Sequence, residues 1–114
     1  MNDTDILSKF DYPKGYKKLR ELNLTDFEFW YFIPDDQLPK RFVGMSQRYP
    51  TRKYIPFARR DDCDDIACFE YGKGENVYIV HDFAGAGFEE RKCYSNIWGW
   101  LKDAIDELIS ENPI

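Results

Sequence analysis

Apolar side chains near the end of the chain recur every three or four positions, the spacing of one face of an α-helix. Ser95 is a suitable N-cap, and Asn112 with Pro113 is a stop signal. The pattern therefore predicts a closing helix. Its apolar positions are Ile97, Leu101, Ala104, Ile105 and Leu108, with Trp98 on their flank, and its polar face carries Lys102, Asp103, Asp106 and Glu107.

A shorter helical pattern lies near the start, where Tyr16, Leu19 and Leu22 fall close to one face. Pro13 suits the first turn of a helix and Asp11 is a candidate cap. We therefore predict a first helix that ends near residue 23.

Alternating or continuous apolar runs predict the strands. Aromatic residues alternate along residues 27–33, and a short strand is expected over residues 42–45. Residues 65–71 and 75–83 form two further runs joined by a Gly-Lys-Gly segment, which favours an antiparallel hairpin. The "AGAG" segment at 84–87 is expected to be a turn. Helix, strands and helix in this order predict an α+β fold: an antiparallel or mixed sheet with an N-terminal and a C-terminal helix packed on it.

Size and composition favour one domain over residues 1–114, with 43% hydrophobic and 18% aromatic residues. No apolar run is long enough to span a bilayer, and the first ten residues lack the basic and apolar regions of a signal peptide. We therefore expect a cytoplasmic protein with no membrane partner. Cys63, Cys68 and Cys93 have neither disulfide-scaffold nor zinc-knuckle spacing, so Cys68 is expected in the core and the other two as reduced thiols.

Charge divides the chain into two halves. Residues 1–60 hold 12 Lys/Arg and 8 Asp/Glu, a net charge of +4, whereas residues 61–114 hold 4 and 13, a net charge of −9. The two halves either neutralise each other across the fold or present faces of opposite potential.

The net charge changes from positive to negative within "FARRDDCDDIACFEYG", residues 57–72. Asp61, Asp62, Asp64 and Asp65 cluster in this segment. The cluster is a candidate metal site, catalytic carboxylate group, partner-binding edge or solvated loop. It lacks the glycine at position 6 and the glutamate at position 12 of a calcium-binding EF-hand loop. No metal and no cofactor are therefore expected, which leaves a solvated loop or a partner surface.

Catalysis by a cysteine would need Cys93, His81 and Asp82 to act together. Neighbouring strand residues point to opposite faces, so Asp82 is poorly placed to orient His81. No pair of acids has a spacing typical of a glycosidase, and the glycine segments match no phosphate-binding loop. The sequence therefore indicates a protein that is not an enzyme.

Basic and aromatic residues interleave between residues 40 and 60, a mixture that suits nucleic acid. The acidic half would repel a polyanion, so nucleic acid is not the expected partner. The better interpretation is that these cations balance the acidic half. They are Lys40, Arg41, Arg48, Arg52, Lys53, Arg59 and Arg60.

The chain resembles the SUKH superfamily, also described as cell-wall-assembly-regulator-like. The resemblance covers about residues 54–109 and rests on "YIPFARRDDCDDIACFE", a glycine-containing turn, "VYIVHDF", and a closing helix with the Trp100–Leu101 pair. It implies an α+β sandwich with no established catalytic residues. Many bacterial members are immunity proteins that bind and neutralise a cognate toxin, often a nuclease.

The leading hypothesis is therefore an immunity protein whose acidic surface binds a basic toxin domain. The alternatives are a general adaptor or ligand-sensing domain of the same superfamily, without a toxin partner, and an unrecognised enzyme, which would need a deep pocket with a perturbed titratable group. The candidate partner-binding residues are Asp61, Asp62, Asp64, Asp65, Glu89 and Glu90, with Trp30 and Trp98 as aromatic anchors.

Overall fold

The computed structural model describes residues 3–83, 87 and 89–112. This part of the chain contains four helices and five strands. In chain order they are α1 (Asp3–Lys9), α2 (Lys14–Glu21), β1 (Trp30–Phe32), α3 (Leu38–Arg48), β2 (Tyr54–Arg60), β3 (Asp65–Glu70), β4 (Val77–His81), β5 (Glu90–Tyr94) and α4 (Ile97–Glu111).

The five strands form one sheet in the order β1-β2-β3-β4-β5, and every neighbouring pair is antiparallel. The predicted α+β class is confirmed, and the sheet is antiparallel rather than mixed. The predicted hairpin is β3–β4, in which Asp65 pairs with His81 and Cys68 with Tyr78. Because β1 and β2 pair Trp30 with Arg60, the start of β1, the end of β2 and the start of β3 lie at the same end of the sheet.

The larger core lies between the sheet and the helices α2 and α4. Trp100 of α4 makes T-shaped contacts with Trp30 at 5.7 Å and with Phe57 at 5.1 Å between ring centroids. Tyr16 of α2 stacks on Phe32 at 5.3 Å. The predicted N-terminal and C-terminal helices therefore pack on the sheet, through large aromatic side chains that bury much apolar area.

The second face of the sheet is covered by α3. Met45 and the C-cap residue Tyr49 join Tyr54, Ile66 and other side chains of β2, β3 and β4 in a smaller core cluster. The predicted strand over residues 42–45 is therefore wrong. The helix tolerates Pro39 because it lies in the first turn, where a proline removes no intrahelical hydrogen bond.

Several element ends differ from prediction. The alternation over residues 27–33 yields only the short strand Trp30–Phe32. Asn96, not Ser95, caps α4, and its side chain accepts hydrogen bonds from the N–H groups of Trp98 and Gly99. Pro13 is itself the N-cap of α2, while Asp11 pairs with Lys17 at 2.9 Å. The predicted turn at 84–87 lies mostly outside the described residues.

The α2–α4 contact depends on a residue without a side chain. A Cβ at Gly15 would lie 2.5 Å from Cγ2 of Ile97 and 3.2 Å from the Trp98 ring. Real Cβ contacts do not approach this closely, so the two helices meet at this position only with glycine. Gly15 therefore sets the position of α4 over the sheet.

Candidate functional site

The acidic turn, residues 61–64, connects β2 to β3. Main-chain hydrogen bonds hold it to the residue before β1 and to the residue after β4. Asp61 N donates to Phe29 O at 2.9 Å, and Asp82 N donates to Asp64 O at 3.0 Å. Asp61, Asp62 and Asp64 are all exposed. The turn therefore presents its carboxylates from a fixed backbone.

Arg60 joins the acidic turn to α4. Its guanidinium donates to both carboxylate oxygens of Asp62, at 2.7 and 2.8 Å, and to both of Glu107, at 2.7 and 3.0 Å. The hydrogen bonds from Arg60 lower the pKa of the Asp62 carboxyl below its usual value. The C-terminal half of α4 therefore lies beside the turn.

A groove of about 710 Å³ opens where α4 crosses this end of the sheet. Apolar residues of the sheet and of α4 form its inner wall, among them Trp30, Ile79 and Trp100. We call it the acidic groove because its other lining residues include five carboxylates and two cations, a net charge of −3. The charged residues are Asp65, Asp103, Asp106, Glu107 and Glu111, with Arg60 and Lys92.

Both cations of the acidic groove are already paired with its carboxylates. Arg60 pairs with Glu107, and Lys92 Nζ lies 2.8 Å from Asp103 Oδ2. The hydrogen bonds from Lys92 and from the Tyr94 hydroxyl lower the pKa of Asp103. In contrast, Asp106 and Glu111 in the groove, and Asp61 and Asp64 in the turn, have no ion-pair partner within the described residues.

The other predicted acids have partners of their own. Asp65 lies 2.9 Å from Nδ1 of His81 and accepts from Arg91 at 3.1 Å. Glu89 is buried, 4% exposed, and accepts from Gly87 N. Glu90 accepts from Arg52 at 3.1 Å. The structure therefore brings Asp61, Asp62, Asp64 and Asp65 together at one end and gives Glu89 and Glu90 structural contacts.

The two predicted aromatic anchors differ in exposure. Trp30 is 6% exposed, so its ring belongs to the core rather than to the surface. Trp98 is 49% exposed and packs one side of its ring near Gly15, at the opposite end of α4 from the acidic turn. Neither ring projects from the acidic turn.

The grouping of Cys93, His81 and Asp82 that catalysis by a cysteine would need is not assembled. His81 hydrogen-bonds to Asp65, while the Asp82 carboxylate accepts from Arg48. Desolvation raises the pKa of the Cys93 and Cys63 thiols, and complete burial raises that of Cys68 well above its usual value. A raised pKa favours the thiol over the nucleophilic thiolate.

Within residues 3–83, 87 and 89–112, no group of three His, Cys, Asp or Glu side chains is placed to hold a metal ion. Over the same residues, no helix has both the length and the apolar character needed to cross a bilayer.

Three of the six arginines of the basic half form ion pairs with the acidic half. Arg48 pairs with Asp82, Arg52 pairs with Glu70 at 2.7 Å, and Arg60 pairs with Glu107. These pairs support the interpretation that the two halves neutralise each other across the fold. They also leave fewer cations for a polyanion.

Sequence reasoning missed the contribution of α4 to the site. Asp103, Asp106, Glu107, Ser110 and Glu111 recur at intervals of three or four residues, which signals a shared helical face. The sequence contained this signal, but not the packing that turns this face towards the acidic turn.

Comparisons with protein-family models, with curated proteins and with solved structures found no match to this chain.

Proposed function

We propose that this protein is a non-catalytic binding domain that recognises a basic protein partner through the acidic turn and the acidic groove. The observation that carries the proposal is the excess of carboxylates at one end of the fold. Among the residues that the structure describes, no cation pairs with Asp61, Asp64, Asp106 or Glu111, whereas the neighbouring Arg60 and Lys92 are paired.

Unpaired surface charge of one sign promotes association with a partner of the opposite sign. Such charge raises the association rate and makes it fall with ionic strength. Because Arg60 and Lys92 are already neutralised within the site, they offer little repulsion to an arriving cation. The four free carboxylates therefore suit lysine and arginine side chains.

The apolar wall of the acidic groove adds a place for a more buried contact. Trp30, Ile79 and Trp100 line the groove beside its carboxylates. This combination suits a segment of the partner that carries an apolar side chain next to its cations.

A toxin nuclease is the partner class that we propose, in line with the resemblance to the SUKH superfamily. A nuclease carries positive charge around its active site to bind a polyanionic substrate. An acidic protein that covers that charge excludes the substrate without any chemistry of its own. The proposed role is therefore neutralisation of a toxin by occlusion.

The test uses purified basic toxin domains encoded beside the gene, immobilised for kinetic binding measurements over a salt series. The wild-type chain should bind, block nuclease activity, and associate more slowly as salt rises. The double variant Asp61→Lys with Asp64→Lys should associate about tenfold more slowly at low salt and lose most of the salt dependence.

A matched control separates this surface from net charge. Asp36→Lys with Glu75→Lys makes the same charge change at exposed positions outside the acidic turn and the acidic groove. It should retain most of the wild-type rate. If both double variants slow association equally, or if neither does, the acidic turn is not the binding surface.

A further inference from the structure

A second groove, which we call the α3 groove, lies along the outer side of α3. Its charge is positive, opposite in sign to that of the acidic groove. Its volume is about 650 Å³, and none of its lining residues within the described chain is acidic. It combines polar, basic and apolar side chains. The lining residues are Gln37, Lys40, Arg41, Val43, Gly44, Gln47, Arg48 and Phe83.

Phe83 forms one wall of the α3 groove in an unfavourable backbone conformation. Its φ angle is +67°, in a region that residues other than glycine rarely adopt. Of its surface, 69% is exposed. The fold therefore holds a large apolar ring in water while straining its backbone. Backbone strain at an exposed residue points to a constraint on that position.

The contacts around Phe83 fix its position. The carboxylate of Asp82, only 3% exposed, accepts from Phe83 N at 2.9 Å and from Arg48 at 2.7 and 2.5 Å. The Arg48 guanidinium lies 4.4 Å from the Phe83 ring centroid. Gly44 lies next to the same guanidinium: a Cβ at this position would be 3.2 Å from Arg48 Nη1. The glycine thus leaves room for the arginine that supports the ring.

The free charges of the α3 groove are Lys40 and Arg41. Neither has an ion-pair partner within the described residues, whereas Arg48 is neutralised by Asp82. Two free cations beside the exposed side chains of Val43 and Phe83 complement a segment that combines carboxylates with an apolar side chain. Two cations are few for a nucleic acid, since affinity for it grows with the number of phosphates neutralised.

We propose that the α3 groove is a second binding surface, which takes an acidic protein segment carrying one aromatic or aliphatic side chain. Lys40 and Arg41 pair with the carboxylates of the segment, and Phe83 and Val43 contact its apolar side chain. This surface lies on the opposite face of the sheet from α4.

The experiment uses the full chain and a fluorescein-labelled peptide in which Asp and Glu flank a single Phe. Fluorescence polarisation should show saturable binding, which weakens about tenfold in Lys40→Glu with Arg41→Glu. The control Lys73→Glu with Lys102→Glu makes the same charge change at exposed sites outside the groove, and should leave the affinity unchanged. Equal losses in both double variants would overturn the proposal.

A variant of Phe83 separates binding from folding. Glycine adopts a positive φ without strain, so Phe83→Gly should fold with an unchanged or higher melting temperature and still bind the peptide several-fold more weakly. A lower melting temperature with unchanged affinity would assign Phe83 a structural role and overturn the proposal.

Two further outcomes would replace the proposed occupant. A labelled single-stranded oligonucleotide that binds more tightly than the peptide, and loses affinity in the Lys40 and Arg41 double variant, would make the groove a nucleic-acid site. Concentration-dependent self-association in sedimentation, lost in the same variant, would make the occupant a second copy of this chain.

Discussion

The acidic groove and the α3 groove are built on opposite faces of one sheet and use arginine in different ways. In the acidic groove, Arg60 bridges two carboxylates that face water, with side chains 49% and 36% exposed at Asp62 and Glu107. In the α3 groove, Arg48 pairs with Asp82, whose side chain is 3% exposed. Both arginines are held in ion pairs. The unpaired charges around Arg60 are negative, whereas those around Arg48 are positive.

This difference shows how a chain with a basic half and an acidic half can carry two surfaces of opposite charge. The ion pairs between the halves neutralise Arg48, Arg52 and Arg60. Within the described residues, the carboxylates without an ion-pair partner at the acidic turn and the acidic groove are Asp61, Asp64, Asp106 and Glu111, and the cations without one in the α3 groove are Lys40 and Arg41. Neutralisation across the fold and separation of charge on its surface are therefore compatible.

The largest expected effect is on the α3 side. Arg48→Met leaves the buried Asp82 carboxylate without its cation and should destabilise the fold by about 3 kcal/mol. Guanidinium chloride denaturation measures the change. Adding Asp82→Asn to the variant should recover part of the loss. A cost below about 1 kcal/mol would mean that Asp82 is hydrated and that the pair does not support Phe83.

Gly15→Ala should have the next largest effect and should act on the acidic groove alone. The added Cβ conflicts with Ile97, so the expected cost is about 1–3 kcal/mol. Displacement of α4 should also weaken binding of a basic partner and leave the α3 groove unchanged. Lys14→Ala, at the exposed neighbouring position, is the control for thermal denaturation. Equal melting temperatures for the two variants would refute the tight α2–α4 contact.

Arg60→Met tests the acidic side of the comparison. Its carboxylate partners can turn to water, so the variant should lose only about 1 kcal/mol, less than Arg48→Met. Removing the cation also makes the acidic groove more negative. Association with a basic partner should therefore become faster although stability falls, and slower association would contradict the electrostatic account.

The smallest expected effect concerns pH. Since Lys92 and Arg60 lower the pKa values of Asp103 and Asp62, these pairs stabilise the fold fully above the unfolded pKa near 4. The contribution disappears as pH falls through the lower folded pKa. Asp103→Asn should therefore reduce the stability lost between about pH 6 and pH 3, by less than about 1 kcal/mol since the pair is exposed. If the stability of Asp103→Asn fell with pH as steeply as that of the wild type, the pH argument would be wrong.

The sequence predicted the elements whose patterns are local. The β3–β4 hairpin follows from two apolar runs around Gly72 and Gly74, both with positive φ, and α4 follows from its apolar periodicity. The helix α3 was missed because Pro39 lies in its first turn, Pro50 follows its end, and Val43 and Gly44 are weak helix formers. The strand β5 was missed because its segment, "ERKCY", is an exposed edge with no apolar alternation.

The candidate site was predictable only in part. The acidic turn could be predicted directly, since Asp61, Asp62 and Asp64 interrupt two apolar strands. Its partnership with α4 depends on where a helix more than thirty residues later crosses the sheet, which local patterns do not specify. The partners of Glu89 and Glu90 and the burial of Trp30 depend on the same tertiary packing.

Hydrogen exchange tests the central claim most directly, because it shows which surface a basic partner covers. Amide exchange would be compared for the chain alone and in complex with a basic toxin domain. The account predicts slower exchange in residues 60–66 and 103–111 and unchanged exchange in residues 38–48. Protection confined to residues 38–48, or spread evenly over the chain, would contradict it.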